Sequence, residues 1–532
     1  MKQMSTGRGF AYLSIAELLV KIMSLIYVPV LVRILGDVGH GIYAISYEAF
    51  TLIYVLTNEG IQRGISKLIS ELHAQGNPRD AVRAFRLSRT MLIFAGLVAS
   101  LLLYIMAPYI ANASDTAQAT LSIRVLSPTI LITSVLAAYR GYFLGRSFVT
   151  ANALSKIVEQ LVNVAVSLLA AYLLMRVSLV YGVAGGALGT SIGALAGVAL
   201  LIREYYKARL HKVKRQDQNP DAVHHTNQEL VRRILSYAMP ITLTAGMMHI
   251  GGFIDMFIVN SRLSVAGLSF KAAKTAYSQL ARYKNLLYAP NTILVALAAV
   301  LLPGISAARA VNNQEEVGKK ITYAVKMVFL VTIPSFVGMA VLAGPIYDIL
   351  YPGRGGVELL QMGAVTVVFL GFIQVQNVIF QGLGKFYWGS FTMLAGILTK
   401  LVMNYFLVAI PSVNIQGAVI SHFMNFLIPT LANHYLITKV LGYKIRLGRS
   451  AKGPMISAAA MGVVIYLLSQ VFAFVKLGYA ASSLLTFINI MVGVGVYMVF
   501  MLLTGGITRQ DLTEMSPRLL RLIPAKLRAR MK

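Results

Sequence analysis

The chain has 532 residues, of which 57% are hydrophobic and 13% charged, with a formal net charge of +29 and a mean hydropathy of +0.70. An ordinary soluble domain is about 25% charged, so no soluble class fits, and the positive balance is read as Lys and Arg in loops beside a membrane rather than as a nucleic-acid surface. With no cysteine, disulfides and thiolate metal sites are excluded.

About fourteen apolar stretches follow one another, each long enough for a helix to cross ~30 Å of hydrocarbon. The first, Phe10 to Leu35, contains Glu17, Lys21 and Arg33 and lacks a small-residue cleavage site, so it is expected to be a retained helix and not a signal peptide. The predicted spans are 10–35, 40–69, 85–107, 120–144, 152–175, 181–206, 231–260, 283–308, 318–343, 358–384, 386–410, 414–440, 452–474 and 480–504. With the N-terminus placed in the cytoplasm, most Lys and Arg residues fall on inside segments, which sets both termini in the cytoplasm of a multi-pass plasma-membrane protein.

The most polar inside stretch, 207–230, reads as a flexible basic linker between an N-terminal six-helix bundle (1–206) and a C-terminal one (231–440). Pro108 and Pro345, Gly145–Arg146 and Gly384–Lys385, and Gly186–Ala187 and Gly417–Ala418 recur at nearly one offset. Such a six-span repeat would relate the halves by an axis along the membrane normal, around a central cavity. Two further helices (441–504) fall outside the repeat, and Gly493 and Gly495 there allow a close helix approach or a groove. Residues 505–532, with Arg518, Arg521, Lys526, Arg528 and Arg530 among leucines, read as a basic amphipathic tail on the inner leaflet.

Ionisable residues at bilayer depth cost at least ~2.5–3.5 kcal/mol and should face a partner or water. Glu17 and Lys21 stand at i, i+4, as do Glu59 and Arg63, and either pair is a self-neutralising couple or part of a hydrated cavity. Glu48, Lys156, Glu159, His249, Asp255 and Lys400 with Asn404 one turn on add charges or polar groups from both halves. On the outer face, Arg262, Lys271, Lys274, Arg282 and Lys284 form a cluster where cations should be scarce, read either as a solvated loop or as a vestibule for an anion. The candidate substrate-binding cations are Lys21, Arg63, Arg282 and Lys284, matched to a diphosphate. Glu17, Glu59 and Asp255 are candidates for coupling to Na+, H+ or the membrane potential. No metal or other cofactor is expected.

The stretches RILGDVGHGIY (33–43), NEGIQRGISKLISE (58–71), RGYFLGRSFVTANALSKIVEQ (140–160), APNTILVALAAVLLPGISAA (289–308), PIYDIL (345–350), QGLGK (381–385) and NIQGA (414–418) resemble the stage V sporulation protein B-like branch of polysaccharide flippases, in order through residues 5–440. This branch is related to MurJ-type lipid II flippases in the multidrug/oligosaccharidyl-lipid/polysaccharide exporter superfamily. The resemblance implies two six-helix bundles, alternating access, and movement of an undecaprenyl-diphosphate-linked sugar from the inner to the outer leaflet. It also implies a groove for the lipid tail along the two extra helices. MurJ-type arginines of helices 1, 2 and 8 correspond approximately to Lys21, to Tyr54 and to Arg282 with Lys284, and the tyrosine in the second of these positions departs from the family pattern.

The expected partners are therefore an anionic lipid-linked sugar and membrane lipids, with no nucleic acid and no obligate protein partner. A multidrug cation antiporter of the same superfamily is the rival, disfavoured by a cationic vestibule. A membrane glycosyltransferase or ligase would need a catalytic carboxylate or arginine cluster in a sizeable external loop, and the external loops are mostly short.

Overall fold

A chain that must satisfy its backbone N–H and C=O groups inside hydrocarbon forms helices or closed barrels, and here it forms helices. The computed structural model describes residues 6–210, 212–213, 218–220, 222–310, 313–385, 387–442, 447–474 and 478–507. Its helices are α1 (Thr6–Ala74), α2 (Pro78–Ala113), α3 (Thr120–Gly145), α4 (Val149–Leu174), α5 (Leu179–Lys207), α6 (Asn227–Val265), α7 (Phe270–Leu287) and α8 (Asn291–Ala310). Then come α9 (Gln314–Val341), α10 (Ala343–Leu350), α11 (Val357–Gly363), α12 (Thr366–Gly382), α13 (Trp388–Leu407), α14 (Ile415–Leu441), α15 (Leu447–Phe474) and α16 (Tyr479–Leu503). No strand occurs among the described residues.

Among those residues, 11 helices are long and apolar enough to cross a membrane, or 12 if α11 and α12, bent by 52°, make one span. The count differs from the fourteen expected partly because the first two predicted spans run together in the 69-residue α1, which kinks at Gly36 (φ 71, ψ 175). Only glycine adopts that conformation without strain. A straight helix of this length would measure ~100 Å, about three bilayer thicknesses. The predicted span 283–308 is instead divided: α7 ends at Leu287 and α8 begins just after Pro290, whose missing N–H and clash with the preceding turn favour a break.

The chain forms two compact units, Met1–Ala281 with Leu401–Ala418 and Arg282–Lys400 with Val419–Lys532. In the first, α1 to α6 share a core in which Phe85 touches the rings of Tyr139, Tyr142 and Tyr205 at 5.1, 4.5 and 5.3 Å between centroids. Phe94, Leu101, Leu102 and Ile105 of α2 are exposed, an apolar face fit for lipid. In the second unit Leu294, Val328, Ile379, Met461 and Tyr497 share a core. Helix α16 is tied there by the Tyr497 hydroxyl, which donates to the Leu330 carbonyl (2.9 Å), and by Asn489 Nδ2, which donates to the Ile465 carbonyl (3.0 Å).

The stretch expected to be a flexible linker is docked over its second part. Asn219 N donates to the Gly76 carbonyl (2.8 Å), Asn77 Nδ2 to the Val223 carbonyl (2.9 Å), and His225 N to the Asp80 carboxylate (2.9 Å). Buried Asn77 and Asp80, which cap the start of α2, thus also hold a strap that leads into α6, itself begun by a Thr226–Glu229 capping box. His211, Lys214 and Arg215 of the linker, and the basic tail with Arg518, Arg521, Lys526, Arg528 and Arg530, lie outside the described residues.

Candidate functional site

The interior of the first unit gathers most of the membrane-depth charges, paired differently from the local spacing. Glu17 of α1 forms its ion pair with Lys156 of α4, and Lys21, one turn from Glu17, makes no ion pair among the described residues. One turn further on, Gln160 Nε2 donates to Ser24 Oγ (3.2 Å), so α1 and α4 are joined twice. Arg140 of α3, which no spacing in the chain singles out, is buried and pairs with Glu159 while also donating to Ser155 Oγ (3.1 Å). Glu59 and Arg63 do stand together at i, i+4, loosely at 3.9 Å, with the Arg63 side chain 60% exposed.

Asp255 of α6 is buried and accepts a hydrogen bond from Asn404 Nδ2 (2.7 Å). Buried Lys274 of α7 donates to Asn260 Oδ1 (2.9 Å), and burial pushes its ammonium down to about 8, against the opposing pull of the Asp115 charge. Arg262 lies over the Tyr405 ring at 3.7 Å. Two members of the cationic cluster, Lys274 and Arg262, are therefore held by their own surroundings.

In the second unit Arg282 is fully buried. Its guanidinium donates to the Gly355 carbonyl (3.1 Å) and faces the Tyr351 ring at 5.2 Å, which clamps the second-unit end of α7, from Arg282 on, to the loop before α11. Lys284 is also buried, but at i, i+2 on a helix the two cations leave on different faces. Among the described residues no group of His, Asp or Glu is arranged to hold a metal ion.

The first unit also contains a seam that the charge pattern did not reveal. Down the second part of α1, Gly60 and Gly64 let α6 approach so closely that a Cβ at Gly64 would lie 3.0 Å from the Ile234 carbonyl, and one at Gly60 would collide with Thr242. Leu56 in turn fills the space beside Gly246, and the Glu48 carboxylate lies against Gly252. At the strap end the seam closes on Glu71, which accepts from Arg233 Nη2 and the Tyr237 hydroxyl, both at 2.9 Å. The small-xxx-small spacing of Gly60 and Gly64 was visible in the sequence and is a known basis for close helix packing in membranes. A cavity of about 310 Å³ beneath the strap, lined by Gln75, Asn77, His225 and Arg233 among others, is too small for a sugar diphosphate on a long lipid.

Ionisable side chains paired across helices in a many-span protein are costly in hydrocarbon and mark an interior with a function beyond packing. The chain belongs to the polysaccharide biosynthesis protein family, whose model matches residues 6–308. The lipid II flippase MurJ of Bacillus subtilis (strain 168) is 23% identical over 519 residues, covering 92% of this chain and 94% of that protein. Stage V sporulation protein B of the same organism is 23% identical over 508 residues, covering 95% and 96%. The fold matches that of the lipid II flippase MurJ in an inward closed conformation (TM-score 0.64, 16% identity, 93% of this chain and 97% of that one). It also matches an inward-facing multidrug resistance MATE family transporter of the MOP superfamily (TM-score 0.66, 17% identity, 82% and 99%). Flippases and transporters, not enzymes, make up this group.

Proposed function

We propose that the protein is an alternating-access flippase that carries an undecaprenyl-diphosphate-linked sugar from the inner to the outer leaflet of the bacterial plasma membrane, with both termini in the cytoplasm. The observation that carries this reading over the multidrug antiporter is the extent of the match. MurJ accounts for 93% of the chain and the MATE transporter for 82%, a difference close to the combined length of α15 (28 residues) and α16 (25 residues). A substrate with a long polyprenyl tail gives two further helices a use that a soluble organic cation does not.

The fourteen-span count fits the observed helices. Divided at Gly36, α1 supplies two crossings; α11 with α12 supplies one, and the 20-residue α8 supplies another beyond the remaining long helices. Two six-helix bundles followed by α15 and α16 complete this arrangement. A charged head crossing bare hydrocarbon would cost many kcal/mol, whereas fixed cations and hydrated polar groups replace its water. Of the candidate cations, Lys21 is the one best placed to meet a diphosphate, because Glu17 is already neutralised by Lys156. Arg63 is exposed and only loosely paired. Arg282 and Lys284 would engage the head after their helix is released from the present contacts. Glu17, Glu59 and Asp255 remain the coupling carboxylates of this scheme.

The test is reconstitution into vesicles carrying a fluorescent undecaprenyl-diphosphate disaccharide in the inner leaflet. The protein should speed the lipid's appearance to an external quencher. No acceleration, together with efflux of an organic cation from the same vesicles, would overturn the flippase reading in favour of the antiporter.

A further inference from the structure

The second part of α1 carries an unbroken ladder of rings. His40, Tyr43, Tyr47, Phe50 and Tyr54 follow at alternating three- and four-residue steps, which keeps them on one helical face. Successive ring centroids are 6.3, 5.6, 5.6 and 5.6 Å apart, and the first two pairs are stacked. From His40 to Tyr54 the ladder climbs ~21 Å, about two thirds of the hydrocarbon thickness. Tyrosines are ordinarily enriched at membrane–water interfaces, so a run of them at this depth calls for a partner other than lipid.

The ladder does not face the seam with α6. At 100° per residue Tyr47 lies a quarter-turn from Glu48, which the seam uses, so the rings occupy the adjoining face. There they meet polar groups of the first unit's interior. The Tyr27 hydroxyl stands 3.3 Å from that of Tyr43, and Tyr54 is within electrostatic reach of both Glu159 and Arg140. His40, Tyr43 and Phe50 are buried, whereas Tyr47 and Tyr54 are only half-buried. These two partly open rings are seven residues apart, which is ~10 Å along the helix.

We propose that Tyr47 and Tyr54 are stacking platforms for the saccharide of the substrate, an oligosaccharide of at least two pyranose rings, and that the ladder is the track along which it moves. The inference deepens the flippase reading and rests on it. A pyranose presents an apolar C–H face that suits an aromatic ring, and a rim of hydroxyls that suits the neighbouring Arg140 and Glu159. Two platforms ~10 Å apart match the length of a disaccharide. Repeated, similar rungs also suit transport, because a ligand that binds comparably at several depths is not trapped at one.

The test uses two lipids, undecaprenyl diphosphate bare and carrying a disaccharide, with purified full-length protein in detergent. Trp388 is the chain's single tryptophan, so Tyr54→Trp in a Trp388→Phe background places one reporter on the ladder. The sugar-bearing lipid should shift its emission and the bare lipid should not. The double change Tyr47→Ala and Tyr54→Ala should weaken binding of the sugar-bearing lipid by about tenfold and leave the bare lipid unchanged, while the corresponding Phe changes preserve both affinities. Equal responses to the two lipids, or no loss in the Ala variant, would overturn the ladder while leaving lipid-diphosphate binding intact. If the unaltered protein binds neither lipid, the flippase reading falls and the ladder with it. Should the Ala variant not fold, the tryptophan reporter alone decides.

Discussion

Glu17 of α1 is held by Lys156 of α4 and not by Lys21, its neighbour one turn along the same helix. Pairing across helices neutralises two charges from different spans and leaves the half-buried Lys21 ammonium without a carboxylate among the described residues. The two lysines should therefore separate by assay. Lys21→Ala is expected to weaken undecaprenyl diphosphate binding by roughly tenfold to a hundredfold, the scale of a lost charge-assisted hydrogen bond, with little change in melting temperature. Lys156→Met should do the reverse, lowering the melting temperature because Glu17 is left uncompensated at membrane depth. Titration of the bare lipid and thermal melts on both variants would check this, and a Lys21→Ala protein with full affinity would remove Lys21 from the site.

Gly60 of the seam and Gly495 of α16 are not equivalent. A Cβ at Gly60 would meet the Ala238 carbonyl at 2.6 Å, whereas one at Gly495 would find nothing within 4 Å. Gly60→Val should cost ~1–3 kcal/mol by forcing α1 from α6, and Gly495→Val should leave stability unchanged. Paired melting curves in one detergent are sufficient. Equal melting temperatures would mean that the α1–α6 contact is not what holds the first unit together.

Lys274 gives the cationic cluster of residues 262–284 a pH dependence. Below pH 8 its ammonium is charged in the folded and unfolded chains alike. Between about 8, where the buried group loses its proton, and its ordinary 10.5, the unfolded chain binds more protons than the folded one, so this residue's contribution makes stability rise with pH. Lys274→Met should flatten that part of the profile. Melting temperatures from pH 7 to 10 would show it, and identical slopes for the two proteins would refute it.

Much of the helix order was legible because apolar length is a local property: the predicted spans from 85–107 to 231–260 lie on α2 to α6, overrunning them only at Met175. The continuation of α1 through Gly36 was not, since one left-handed glycine between two apolar runs reads equally well as a loop. Charge pairs were legible only where they are local. Glu59 with Arg63 follows from i, i+4 spacing, but the choice of Lys156 by Glu17, of Glu159 by Arg140 and of Arg233 by Glu71 depends on which helices become neighbours. The ring spacing from His40 to Tyr54 lay in plain view, yet it acquires meaning only once the polar groups beside it are known.

The strap that precedes α6 should behave as docked structure with a definite point of weakness. Asp80 is buried and accepts from His225 N (2.9 Å) and from Asn77 Nδ2 (3.0 Å), so one carboxylate secures both the strap and the amide that holds Val223. A hydrogen bond to a charged acceptor contributes ~1.5–3 kcal/mol, and cleavage of a segment that must open first follows the population of the open form. Asp80→Ala is therefore expected to speed proteinase K cleavage within residues 222–226 by about tenfold or more. Gln218→Ala, which removes only the bond from Gln218 Nε2 to Asn77 Oδ1 (3.1 Å) and the one that Arg79 N makes to its side chain (3.2 Å), should have a smaller effect. Mapping the cuts by mass spectrometry in inside-out vesicles also tests the orientation, because the strap should be reached there and not in right-side-out vesicles. Cleavage at the unaltered rate in Asp80→Ala would show that these bonds do not hold the strap, and cleavage confined to right-side-out vesicles would reverse the proposed topology.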